Sequence, residues 1–563
     1  MSPSSAPWWA SAVIYQLYVR SFADGNGDGR GDLLGIRQRL SELADLGVDG
    51  IWLNPCYPSP QWDHGYDVAN FFDIEPAYGD LATFDVLVAE AKALGLKLMM
   101  DIVPNHCSID HAWFREAVAA GPGSAARERF WFRDGRGLDG AEPPNNWISA
   151  FTGPAWTRIV GPDGVPEQWY MNTFASQQPD WNWNHPDVID HYDRVLRFWL
   201  DRGVDGFRVD APTPVGKHPE LPDAPPPPVG VADVDVRRFN EYANFRDEGH
   251  VVWKHWRTVL DDYEREHPGF HTVMVAETYS PKRPDLIAKF VRPDEYHQAF
   301  AFELMLAPWH PAAMRDAIDE VMSARAISPW AAAWTLNNHD AQRSVTRYGR
   351  ADAADPTRFA TSALTASKAP VDLAMGTRRH RAALLMMLAL PGGVYVYQGE
   401  ELGLPEVLDL PADAREDPMF IRSGGAELGR DGCRVPLPWT VDGAGNHGFS
   451  AGASPAAAWL PQPADWGRYG RDAQRDDPAS MLSFYREALG ARRKLGFADA
   501  AFSWIDDGSL VAFRRERLVV VANMAADARP LPLDARGRSV ALESVPNATD
   551  GTTIAADAAV WLA

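Results

Sequence analysis

A chain of 563 residues is too long for one ordinary domain and long enough to bury a large core with further modules attached. Its 54 basic against 76 acidic side chains leave a formal charge of -22, which repels phosphate backbones and anionic membrane surfaces and argues against nucleic acid as a partner. With only Cys56, Cys107 and Cys433, there is no disulfide framework to expect, and a reducing compartment suits the chain.

The opening, MSPSSAPWWASAVIYQ, has no basic segment followed by an apolar stretch, and no apolar run reaches membrane-spanning length, so a cytoplasmic protein is expected. Eight short apolar runs then follow, in order AVIYQLYV, GVDGIWLNP, LKLMMDIVPNH, GVDGFRVDA, HTVMVAETY, YHQAFAFEL, AAAWTLNNHD and GGVYVYQGEE. Stretches of helical period, such as LLGIRQRLSELADLG and PDVIDHYDRVLRFWLDRG, alternate with them, which is the pattern of a parallel sheet built from strand-helix units. Eight units predict an α/β fold, a (β/α)8 TIM barrel over residues 1–106 and 180–496. The long irregular stretch 107–179, rich in Gly, Pro, Trp and Asn, is expected to be an inserted domain, since connections of that length inside a compact fold usually serve function. A second excursion, 403–474, follows the eighth run, and the proline run from Pro225 to Pro228 reads as a stiff local segment. After the helical stretch ending near Gly496, residues 497–563 alternate in short runs, as a C-terminal antiparallel β domain does.

In a barrel of this kind catalytic side chains collect at the C-terminal ends of strands. The third run ends in Asp101, Asn105 and His106, the fourth in Arg208 and Asp210, the fifth in Glu277, and the seventh in His339 and Asp340. One acidic strand end is ordinarily a cap or a loop salt bridge, but several together, with an arginine and two histidines, suit glycoside hydrolysis. One carboxylate attacks the anomeric carbon and another protonates the leaving oxygen, and neither needs a metal. Arg208 stands two residues before Asp210, so both point to the same side of the strand, where the guanidinium favours the ionised carboxylate. Cys56 and Cys107 belong to no nucleophile or zinc pattern and are expected to pack.

The strings DIVPNH, QPDWN, GFRVDAP, VAETY, LNNHD and GVYVYQGEELG, in this order, resemble the motifs of the α-amylase superfamily, family 13 of the glycoside hydrolases. The resemblance implies Asp210 as nucleophile, Glu277 as acid/base and Asp340 as the residue that stabilises the transition state, with His106, Arg208 and His339 binding the first glucose. It implies a retaining mechanism through a glucosyl-enzyme. VIYQLYVRSF, QWDHGYDVANF and RDGCRVPLPW resemble the α-glucosidase and oligo-1,6-glucosidase branch. There Asp63 and Arg434 would pair around the non-reducing end, Tyr66 would lie under that sugar, and Phe151, Phe174 and Gln178 would line the pocket. The branch implies small α-glucoside substrates, and Ala211, where α-1,6-cleaving relatives have Val, implies that α-1,4 bonds, with sucrose, are preferred over α-1,6 bonds. The loop DGNGDGRGDL resembles one that holds a structural Ca²⁺, here through Asp24, Asn26, Asp28, the Arg30 carbonyl and Asp32. A glucosyl-transferring or isomerising enzyme, of sucrose isomerase or trehalose synthase type, shares every one of these residues and stays open as an alternative. A non-catalytic transporter subunit would carry a membrane span and damaged catalytic positions, which this chain lacks.

Overall fold

Strands buried on both faces of a parallel sheet read as continuous apolar runs, because neither face meets water. In the computed structural model, described over residues 6–161, 164–226, 240–278, 284–356, 368–452, 456–496, 501–505 and 508–563, such runs become β1 (Val13–Leu17), β2 (Gly50–Leu53) and β3 (Lys97–Ile102). The chain then leaves the barrel to build a small antiparallel sheet from β4 (Phe132–Arg133), β5 (Trp156–Val160) and β6 (Pro166–Met171), in the order β4-β6-β5. It returns through β7 (Gly206–Val209), β8 (Val273–Thr278), β9 (Gln298–Ala301), β10 (Ala332–Thr335) and β11 (Gly393–Tyr397). These strands close in the order β1-β11-β10-β9-β8-β7-β3-β2, so each of the eight apolar runs supplies one barrel strand.

The helices between them begin and end where their sequences dictate. Asp32 caps the helix Leu33–Leu46 by accepting the Gly35 N–H, and Gly47 ends it in the left-handed conformation that glycine takes without a Cβ penalty. His185 and Pro186 start the helix Pro186–Asp201, whose buried face runs Val188, Tyr192, Val195 and Trp199 at helical spacing. Ile14, Trp52, Met99, Val275, Phe300, Ala333 and Tyr395, one from each of seven strands, pack together in one cluster inside the ring. Below this filling Gln298, at the start of β9, donates to the Trp9 and Trp330 carbonyls, while the charged strand ends lie above it.

Beyond the helix Met481–Leu495 the chain forms an antiparallel sheet of β12 (Phe502–Trp504), β13 (Val511–Arg515), β14 (Leu518–Asn523), β16 (Val540–Glu543) and β18 (Ala558–Leu562). A two-stranded ribbon, β15 (Arg529–Pro530) with β17 (Thr553–Ile554), completes it. The sheet is anchored on the barrel helix Leu373–Leu388 by Trp561 Nε1 donating to the Leu385 carbonyl at 2.9 Å. Of the proline run, Pro225 and Pro226 are described, while Pro227 and Pro228 lie outside the described residues. Among the described residues no helix is long and apolar enough to cross a membrane. All three cysteines are buried and free.

Candidate active site

Register brings the polar strand ends together. Asp101 on β3 stands opposite Arg208 on β7, and the Asp210 N–H continues that ladder to the Ile102 carbonyl at 2.8 Å. On the next strand Glu277 lies one step beyond the Val209–Ala276 pair. Arg208 therefore meets three carboxylates at once. Its Nη1 donates to both Asp101 oxygens at 2.9 and 3.1 Å and to Asp210 Oδ1 at 2.8 Å, and its Nη2 lies 2.7 Å from Glu277 Oε1. The guanidinium rests over Trp52, 5.0 Å from the ring centre, and Trp52 Nε1 also donates to Asp101. Side-chain exposure separates two layers: Asp101 and Arg208 are sealed at 0% and 1%, whereas Asp210, Glu277 and Asp340 keep 12%, 18% and 29%. The latter three are the carboxylates of this group that keep surface open to the pocket.

Burial and then the Glu277 charge push the Asp210 carboxyl above its ordinary range, with Arg208 opposing. Asp101 is likewise pushed up by burial, to about 7, against the pull of Arg208. Asp101 and Asp210 thus hold a proton more readily than isolated carboxyls do. Asp340 behaves in the opposite way: burial would raise it, but the positive groups around it hold it below the carboxylate range. Of these groups His339 is itself pushed well below its usual range by burial, so near neutral pH it is uncharged. The ionised state of Asp340 therefore rests on Arg430 and Arg434, each 3.0 Å from Oδ1.

His339 is oriented from three sides. The amides of Gln16 and Asn54 donate to Nδ1 at 2.7 and 3.3 Å, which leaves the proton on Nε2, 2.8 Å from the Tyr66 hydroxyl and 3.2 Å from Asp340. Tyr66 stacks on this imidazole, rings 5.4 Å apart at 4°. Gln16 and Asn54 are site residues that the sequence alone does not single out, although each is a polar break in an otherwise apolar strand run, and such a break is the one signal available.

The expected pairing of Asp63 with Arg434 is corrected by the structure. Asp63 is paired with Arg430, Nη2 to Oδ1 at 2.8 Å, while Arg434 turns to Asp340 and to the His339 carbonyl at 2.8 Å. The two arginines flank the short helical turn Asp431–Cys433, which brings Arg430 to both Asp63 and Asp340 and Arg434 to Asp340 alone of these two. Arg430 also meets Asp417 at 2.6 Å, so it links Asp63, Asp340 and Asp417. Burial raises the Asp63 carboxyl, with Arg430 the main opposing influence. Gln178 closes this side, its Nε2 donating to Asp63 at 3.1 Å and lying 3.0 Å from His106 Nε2, whose imidazole burial pushes down to about 4. From the inserted stretch, Phe174 packs 5.0 Å from His106 and Phe151 lies under Arg430, 5.3 Å from its guanidinium carbon. Every residue expected at the sugar pocket is therefore gathered at one end of the barrel.

The acidic loop lies elsewhere. Asp24 accepts the Asn26, Gly27 and Gly29 N–H groups, and Asp32 accepts those of Gly25, Asn26 and Gly35. Asp28 accepts the Arg30 N–H. Among the described residues no group of three His, Cys, Asp or Glu is gathered to hold a metal ion.

A closed barrel with an arginine-centred carboxylate cluster at its strand ends defines a class of sugar-cleaving enzymes. The family described as "Alpha amylase, catalytic domain" matches residues 16–498, so the chain belongs to the α-amylase family and is a glycoside hydrolase. It is 36% identical over 552 residues to "Probable alpha-glucosidase" of Rhizobium meliloti, covering 93% of this chain and 91% of that one. To "Maltase A2" of Drosophila melanogaster it is 34% identical over 520 residues, with 89% and 81% covered. The solved structure of an alpha-glucosyl transfer enzyme, XgtA, superposes with a TM-score of 0.84 at 33% identity and covers 99% of each chain.

Proposed function

We propose that the protein is a retaining, exo-acting α-glucosidase that releases glucose from the non-reducing end of disaccharides and short oligosaccharides, with α-1,4 bonds preferred. The observation that carries this reading is the pair Asp210 and Glu277 held on the two Nη atoms of one buried guanidinium, both open to solvent. Bridged carboxylates suit the close spacing of a retaining pair, about 5 to 5.5 Å, better than the wider spacing that leaves room for water in inverting enzymes. Asp210 attacks the anomeric carbon, Glu277 protonates the leaving oxygen and then activates water, and Asp340, kept ionised, takes hydroxyls of the distorted ring. The buried Asp63–Arg430 pair closes the far side of the first sugar site, which favours attack at chain ends. Early products from maltohexaose test this: glucose, first as the α-anomer, and maltopentaose are expected. Early maltotriose or first-formed β-glucose would overturn it.

The likeness to a glucosyl transfer enzyme supports a second reading, in which a sugar rather than water takes the glucosyl group. Its signature is transfer products accumulating at low maltose concentration. We place the enzyme in the cytoplasm, in line with its unpaired cysteines, and infer that the Asp24–Asp32 loop takes Ca²⁺ in solution as a structural ion.

A further inference from the structure

Ala211 follows Asp210 directly and has a φ of +38°, in a region that alanine rarely adopts. Pro212 narrows its choice further, since a residue before proline is driven toward extended backbone. Strain of this kind persists only where the surroundings over-determine it, and it gathers at working sites. Here it has a definite local result: the Ala211 N–H donates to Glu277 Oε2 at 3.0 Å. Oε1 of the same carboxyl is already held by Arg208. Among the described residues, the charged groups facing Glu277 are Arg208 and Asp210 from β7 and Asp101 from β3. The Ala211 N–H is thus an uncharged donor on one oxygen of the carboxyl, beside the Arg208 guanidinium on the other.

We propose that the Ala211 peptide N–H is a positioning group for Glu277, and that the left-handed φ at residue 211 serves to turn it there. The proposal rests on Glu277 being the acid/base. In the first step Oε2 gives its proton to the departing glycosidic oxygen, while the Asp210 carboxylate bonds to the anomeric carbon and the broken C–O pair stays with the leaving group. In the second, water loses a proton to Oε2 as its oxygen replaces Asp210. Negative charge appears and disappears on Oε2, where a fixed N–H stabilises it most.

Three changes at residue 211 separate the peptide from the side chain. Lactic acid in place of alanine, introduced by nonsense suppression, exchanges the N–H for an ester oxygen and keeps the methyl group. Ala211→Gly keeps the N–H and accepts the positive φ at no cost, whereas Ala211→Val adds a β-branch that opposes it. The readout is the alkaline limb of kcat/KM for maltose, which Glu277→Gln must abolish if that limb is the proton on Glu277. The ester is expected to move the limb upward by on the order of one pH unit, as for a carboxylate that loses one charge-assisted hydrogen bond. The valine variant should shift it the same way by less, and the glycine variant should keep it in place. A limb that survives Glu277→Gln overturns the reading of Glu277 and the proposal with it. A limb lost in Glu277→Gln but unmoved by the ester overturns the role of the peptide alone. If the ester chain does not fold, equal limbs for the valine and glycine variants overturn that role in its place.

Discussion

Arg430→Met removes one cation from the centre of a buried network while keeping most of the side-chain volume. Arg430 reaches Asp63 at 2.8 Å, Asp340 at 3.0 Å and Asp417 at 2.6 Å, and it is 9% exposed. Arg434 stays beside Asp340 but stands 3.6 Å from Asp417, and Asp63 is left with the Gln178 amide. Breaking a buried pair in this way costs about 3–5 kcal/mol of stability. Loss of one charge-assisted contact to a sugar hydroxyl costs about 1.5–3 kcal/mol, so kcat/KM for maltose should fall about ten- to 150-fold. The pH dependence has a definite sign. Burial already raises the Asp63 carboxyl, and without Arg430 its folded-state pKa rises further above the unfolded value. A group that holds its proton more tightly when folded loses stability as pH rises from the unfolded pKa through the folded one. The deficit in Tm against the unaltered enzyme should therefore grow between pH 5 and pH 8. A deficit that shrinks with rising pH, or a kcat/KM within twofold of the unaltered enzyme, would refute the argument.

Asp210→Asn should abolish turnover of maltose, because an amide neither attacks the anomeric carbon nor offers a full charge to the transition state; near-normal activity in a pure sample removes Asp210 from that role. Glu277→Gln should lose far more on maltose than on aryl glucosides with good leaving groups, and equal losses would point to another acid. Faster cleavage of isomaltose than of maltose would defeat the α-1,4 preference drawn from Ala211, a contact difference of about 1–3 kcal/mol at most. Burial pushes Glu400 up to about 7 against the opposing pull of the Tyr485 hydroxyl, which donates to it at 2.6 Å, so the folded state favours its protonated form. Glu400→Gln should then change Tm little at pH 5 and raise it at pH 8.5, and the reverse order in a melting series would contradict that sign. Chelator should lower Tm if the Asp24–Asp32 loop holds Ca²⁺, and an unchanged Tm with no metal detected in the protein would exclude it.

The barrel can be read from the chain because each of its strands is mostly apolar, a pattern set by burial. The same logic exposes the polar strand ends, since charge at the end of an apolar run is conspicuous. Partner choice is not readable. Arg430 and Arg434 stand four residues apart in one loop, and which of them meets Asp63, 367 positions before Arg430, depends on the short turn between them rather than on spacing. Gln16 and Asn54 are hidden for a different reason. Each looks like a minor flaw in a strand until the imidazole they orient is brought across the barrel. The positive φ of Ala211 leaves no trace in composition, for alanine carries none of the preference that glycine or asparagine would.

Arg208 stands alone against Asp101, Asp210 and Glu277, so even with one proton among them this corner of the pocket keeps an unanswered negative charge. A neutral sugar does nothing to balance it, and balance is approached only as the anomeric carbon turns cationic on the way to reaction. The resting pocket is in that sense one half of an ion pair. A sugar-shaped molecule bearing a protonated nitrogen at the reacting position would supply the missing charge at rest, and should bind far more tightly than the substrate whose shape it copies.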